Sequence, residues 1–94
     1  MRATRKTTKY IVVHCSATTP RQDIGARDID EMHKNKGWQG IGYHFVIDRH
    51  GVLEDGEDMG RYGAHVKGYN KESIGICMVG GIDSEGNPEN NFTA

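Results

Sequence analysis

No apolar run in this sequence approaches the roughly 20 residues that a membrane-spanning helix needs. Only Ile11-Val12-Val13 follows the basic N-terminus, too short for the apolar region of a signal peptide. Neither sign of charge is in excess. Twelve Lys and Arg against 13 Asp and Glu give a formal net charge of -1, which excludes a nucleic-acid binder working through a general basic surface. The only charge cluster, Arg2, Arg5, Lys6 and Lys9, lies in a polar, Thr-rich N-terminus and reads as a mobile tail. Proline is scarce at 2 residues, and neither an internal repeat nor a low-complexity segment is found. The 2 cysteines, Cys15 and Cys77, sit on apolar segments. In the reducing compartment where such a chain is made they read as buried free thiols rather than a disulfide. Metal motifs are missing as well: there is no His-x-x-x-His, Cys-x-x-Cys or Glu-x-x-His.

What remains is a soluble, single-domain composition. A chain of 94 residues makes one domain at most and buries only about two-thirds of the surface its unfolded form exposes. Glycine is abundant at 13 residues, about twice the usual share, and points to tight turns or close backbone approaches.

Tyr10 to His14 is a strand without alternation, apolar on both faces, the pattern of a central strand covered on both sides. Ser16 to Gly25 is a loop. Ala26 to Asn35 is a helix: Ile29, Met32 and His33 keep the helical period, acidic residues come early and lysines late, and Gly37 lies where a left-handed cap belongs. Tyr43 to Asp48 is a second strand, turning at Arg49-His50-Gly51 and returning over Val52 to Glu54. Glu57 to Asn70 is loop-like. Ser73 to Val79 is a third buried strand, ended by Gly80-Gly81, and Asp83 to Asn91 is a polar loop. Phe92-Thr93-Ala94 reads as the start of a further helix, since Thr is a good N-cap. This order makes a mixed α/β sheet with the helix packed on one face.

His14 ends a strand, and ligands gather at the carboxyl ends of strands in α/β sheets. Tyr43 follows Gly42 and can aim a phenol into a cleft; His44, one residue on, should point to the opposite face. His65 lies in a Gly-rich loop of the kind that carries binding residues. His33 falls on the apolar side of the helix and is assigned to core packing, His50 to an exposed turn, and Lys67 and Lys71 to solvent. By spacing alone, His14, His44 and His65 make no metal site.

Five blocks carry more than their residues do singly: Ile11-Val12-Val13-His14-Cys15-Ser16-Ala17-Thr18, His33 to Trp38, Gly42-Tyr43-His44-Phe45-Val46-Ile47, His65-Val66-Lys67-Gly68-Tyr69-Asn70, and Ser73-Ile74-Gly75-Ile76-Cys77-Met78-Val79-Gly80-Gly81-Ile82-Asp83. In this order and spacing the chain resembles the zinc-dependent N-acetylmuramoyl-L-alanine amidase family, whose fold is shared by phage lysozymes and peptidoglycan recognition proteins. The resemblance implies a mixed central sheet with a flanking helix, incomplete at the C-terminus, with residues 1–8 a disordered tail and 9–94 the N-terminal part of an amidase domain.

It implies a zinc ion held by two histidines and a cysteine, with water in the fourth position. His14 matches the first ligand, Tyr43 the tyrosine that assists the reaction, and His65 and Asn70 positions lining the substrate cleft. The other ligands and the catalytic lysine of the family lie beyond the segment that ends this chain, so the chain alone is expected to be a poor zinc binder and inactive. Loss of a covering C-terminal helix is expected to expose an apolar patch around Ile74, Ile76 and Met78 and to favour self-association. The substrate implied is peptidoglycan, cut between N-acetylmuramic acid and L-alanine. Implied also are a phage or prophage endolysin made in the host cytoplasm and acting on the wall after release, and RNA polymerase of the phage as a second partner. Neither nucleic acid nor membrane is expected as a direct partner. A non-catalytic module that binds peptidoglycan or polymerase, and a half-domain that assembles with a separate piece, stay open beside the enzyme.

Overall fold

The computed structural model describes residues 2–18, 24–81, 84, 85, 87 and 90. In chain order the elements among them are β1 (Tyr10–Cys15), α1 (Ala26–Asn35), β2 (Phe45–Ile47), β3 (Leu53–Asp55) and β4 (Ser73–Met78). The strands form one sheet in the order β1-β4-β2-β3. β4 is parallel to both neighbours, with His14 beside Cys77 and Cys77 beside Val46; β2 and β3 are antiparallel. The sheet is therefore mixed, as expected. The helix start expected at Phe92–Ala94 and most of the polar loop before it lie outside the described residues.

Helix α1 has the anticipated bounds, and its ends explain why. At the N-terminus the Gly25 N–H donates to the Asp28 carboxylate (3.0 Å) and the Ala26 N–H to Glu54 Oε1 of β3 (2.7 Å). Two orphan donors are thus satisfied, and negative charge sits at the positive end of the helix. Beyond the C-terminus Gly37 takes a φ of +90°, a left-handed conformation that suits glycine. The Asp30–Lys34 pair one turn apart closes at 2.9 Å. Met32, expected on the apolar stripe, is exposed instead; Ala26, Ile29 and His33 are the buried face.

Ala26 and Ile29 pack with Ile41, Val46, Cys77 and Val79, and Ile24 and Tyr43 lean on this cluster. The core therefore lies between α1 and one face of β2 and β4. Full burial of side chains such as Ile29 or Val46 contributes about 1.5–3 kcal/mol each.

Three expectations are corrected. β1 is an edge strand among the described residues, not a central one: Ile11 and Val13 are 66% and 59% exposed. Their apolarity on the face away from α1 is shared by Ile74, Ile76 and Met78, which register beside Ile11, Val13 and Cys15. Those three β4 residues are half-buried, so among the described residues this apolar face is most open at the β1 edge. For the same reason Cys15 is exposed while Cys77 is buried; both are free thiols. Finally, within the segment expected as a disordered tail, residues 2–5 contact distant parts of the chain. Arg2 donates to the carbonyls of Gly40 and Ile41 and pairs with Glu57. Thr4 bridges to Arg61, and the Arg5 guanidinium donates to the Met59 carbonyl. The two arginines find backbone carbonyls far off in the chain, Arg2 in the segment before β2 and Arg5 in the loop after β3, which a reading of local composition does not reveal.

Candidate functional site

The site lies on the face of the sheet that carries α1. His14 projects from β1 in register with Cys77, and Tyr43 reaches the same row from the segment before β2. Strand β2 begins only at Phe45, so Tyr43 and His44 belong to an extended lead-in rather than to the ladder. The Tyr43 ring lies 5.4 Å from that of His14. Burial, and the Cys77 thiol against its hydroxyl, push the Tyr43 phenol up to about 12, so the group keeps its proton and remains a donor at any ordinary pH.

His65 completes the cluster. Its Nδ1 is 3.0 Å from His14 Nε2 and its Nε2 is 3.2 Å from Ser73 Oγ, which is wholly buried. The ring occupies the space over Gly75, where a Cβ would stand 2.5 Å from ring carbons of His65. A glycine in mid-strand is thus what lets an imidazole lie flat against the sheet. Burial first, then the neighbouring His14 and His44, lower the His65 imidazole to about 4; burial also lowers His14. The pair is neutral and shares one hydrogen bond.

The loop carrying His65 is closed by Asn70, whose Oδ1 accepts from the N–H groups of His65 (2.9 Å) and Val66 (3.0 Å). An open cleft of 330 Å³ runs alongside, lined by Trp38, Ala64, His65, Lys67 and Asn70. His65 and Asn70 therefore both border a cleft, and Asn70 spends its carbonyl oxygen on the loop itself.

His44 is nearly inaccessible, at 1% exposed. Its Nδ1 accepts the Gly75 N–H (3.0 Å), which leaves the proton on Nε2 to donate to the Arg61 carbonyl (2.8 Å). It braces the floor beneath His65, 5.7 Å away ring to ring, and does not reach the cleft. Trp38, given no site role from the sequence, and Lys67, assigned there to solvent, also border the cleft. The signal for Trp38 was the chain's single tryptophan, set between Gly37 and Gly40; for Lys67 there was none beyond its place in the His65 loop.

A catalytic zinc centre takes three protein ligands. Among the described residues no group of three His, Cys, Asp or Glu converges as metal ligands would. His14 and His65 turn nitrogens toward each other, and Cys15 points from the opposite face of β1. These residues do not by themselves make such a centre.

The fold is shared with solved structures of amidases and peptidoglycan recognition proteins. LysC, an N-acetylmuramoyl-L-alanine amidase from Clostridium intestinale, superposes with a TM-score of 0.69 at 36% identity, over 77% of this chain and 46% of that one. Drosophila PGRP-LB gives 0.76 at 27% identity, over 87% and 53%. The chain belongs to the N-acetylmuramoyl-L-alanine amidase family, which it matches over residues 4–94. The endolysin of Klebsiella phage KP32 is 55% identical over 89 residues, 95% of this chain and 59% of the endolysin. The chain thus spans about three-fifths of the length of that relative.

Proposed function

We propose that this chain supplies the substrate cleft and the Tyr43 donor of a peptidoglycan hydrolase of the N-acetylmuramoyl-L-alanine amidase type. The observation that carries the reading is the facing pair His14 and Tyr43, 5.4 Å apart, joined through His65 to an open cleft in a chain of this family. The bond to be cut joins the lactyl group of N-acetylmuramic acid to L-alanine. Water adds to the carbonyl carbon, the C–N bond breaks, and the stem peptide leaves as a free amine. Tyr43, proton in place, donates to the oxyanion that develops on the carbonyl oxygen. His14 is the residue proposed to ligate the zinc of the family; the metal would supply an activated water. His65 and Asn70 hold substrate along the cleft, Asn70 in part by fixing the His65 loop.

Peptidoglycan is the partner this reading requires. Contact with a phage RNA polymerase rests on family resemblance alone, and co-purification with the polymerase decides it. Like the endolysins it matches, the protein is proposed to be made in the host cytoplasm and to reach the wall after release. No helix among the described residues is long and apolar enough to cross a membrane.

The test uses residues 1–94 joined to the remaining length of the KP32 endolysin. In that chimera Tyr43→Phe should lower turnover by roughly 100-fold, the cost of losing an oxyanion donor, with unchanged melting. Clearing of a peptidoglycan suspension at near the parent rate would remove Tyr43 from the chemistry.

A further inference from the structure

We propose that His33 is a positioning residue for Tyr43: from α1 its Nδ1 takes the Gly42 N–H and so sets the lead-in that aims the Tyr43 ring at His14. The inference rests on the role given to Tyr43 above and adds a residue to that site.

The lead-in needs such a device because it lies outside the sheet ladder. Its backbone groups are held one by one. The Ile41 N–H donates to Asp30 Oδ1 (2.7 Å) and the Gly42 N–H to His33 Nδ1 (2.9 Å). The Gly42 carbonyl accepts from Ala64 N–H and the Tyr43 carbonyl from Glu57 N–H, each at 2.9 Å. The two side-chain acceptors are three residues apart on α1, hence on one face of it, and they grip consecutive N–H groups immediately before Tyr43. A side chain at position 42 would collide with the Ala64 carbonyl, so the lead-in has little room to shift by itself.

His33 does more than fill space. Its ring lies between Trp38, 4.5 Å away, and Tyr43, 5.7 Å away, and it is only 7% exposed. An apolar residue of the same bulk would pack there but leave a buried N–H without an acceptor. The groups that face it are Asp30 and Lys36 at the helix end, Arg2 from the docked N-terminal segment, and the rings of Trp38 and Tyr43. Burial first, then the Lys36 and Arg2 charges, disfavour an imidazolium, and Asp30 offsets them only in part. Nδ1 therefore stays free to accept.

The experiment is NMR on the chain itself, in the wild type, His33→Asn and His33→Leu. Asparagine presents an acceptor where Nδ1 was; leucine only fills. Three readouts are taken: imidazole nitrogen shifts of His33, exchange of the Gly42 amide against that of Cys77 in β4, and the nuclear Overhauser contact between the Tyr43 and His14 rings. Expected is an Nε2–H tautomer in the wild type. In His33→Leu, Gly42 exchange should rise at least 10-fold and the ring contact should be lost, with Cys77 unchanged. Both should be retained in His33→Asn. On acidification below the His33 titration, Gly42 protection should fall in the wild type and persist in His33→Asn. An Nδ1–H tautomer in the wild type overturns the proposal, as does a His33→Leu protein that keeps Gly42 protection and the ring contact. Should leucine prevent folding, a folded His33→Asn that loses Gly42 protection overturns it equally. None of these readouts measures turnover, so a harmless Tyr43→Phe would refute the catalytic reading without touching this one.

Discussion

Tyr43 is half-buried, and its phenol, pushed up to about 12, keeps its proton well beyond neutral pH, while burial lowers the nearby imidazoles of His14 and His65. The same desolvation acts on the thiols, and there it separates two cysteines of similar sequence context. Cys77 is wholly buried and its thiol is pushed up to about 11, whereas Cys15 stands exposed at the sheet edge. A thiolate is the reactive species. Iodoacetamide at pH 8 should therefore modify Cys15 and spare Cys77 in the folded protein, with peptide mass spectrometry as the readout. Equal labelling of both would mean that β4 is not shielded by α1. Residue identity alone carried only part of this. The placement of His14 and Tyr43 was legible because His14 lies near the end of β1 and Tyr43 just before β2. His44 was expected to face away, by alternation in a strand expected from Tyr43 that in fact begins two residues later, at Phe45. Its use as a brace between Gly75 and Arg61 depends on a loop contact far away in sequence.

Strand β4 is the element on which the site is built. It pairs with β1 and β2, carries Cys77 under Tyr43, and leaves a gap at Gly75 into which His65 fits. Gly75→Ala would put a methyl group 2.5 Å from ring carbons of His65. Overpacking of this kind costs about 1–3 kcal/mol. The substitution should lower the urea midpoint accordingly and abolish the 3.0 Å contact between His14 and His65, seen as a changed His14 ring shift. An unchanged midpoint and ring shift would show that His65 does not lie over the strand. The helix and β4 were readable from period and caps, since their signals are local. The contacts of residues 2–5 and the edge position of β1 were not, because both are settled by partners far off in the chain: the segments before β2 and after β3 for the first, the order of strands for the second.

Among the described residues the sheet is covered on one face, where α1 closes over the core, and the other face presents Ile11, Val13 and their β4 neighbours. The stability of the molecule should depend on pH through the buried histidines. His33 and His44 are both lowered from 6.5, chiefly by burial. A group whose folded pKa lies below its unfolded value binds its proton more readily when unfolded, so its contribution is full above the unfolded value and is lost as pH falls. Melting temperature should therefore be level above pH 7 and decline as pH is lowered through 6.5. A flat profile from pH 7 to pH 5 would mean that neither imidazole is held neutral by the fold.

The central claim concerns which bond the cleft presents for cleavage, and product chemistry tests it most directly. Peptidoglycan digested by the chimera of residues 1–94 with the rest of the KP32 endolysin should yield new free amino termini of L-alanine and no new reducing sugar ends. Both should be quantified side by side, and Tyr43→Phe should suppress amine release by roughly 100-fold. New reducing ends, or amine release that is indifferent to Tyr43, would contradict the account.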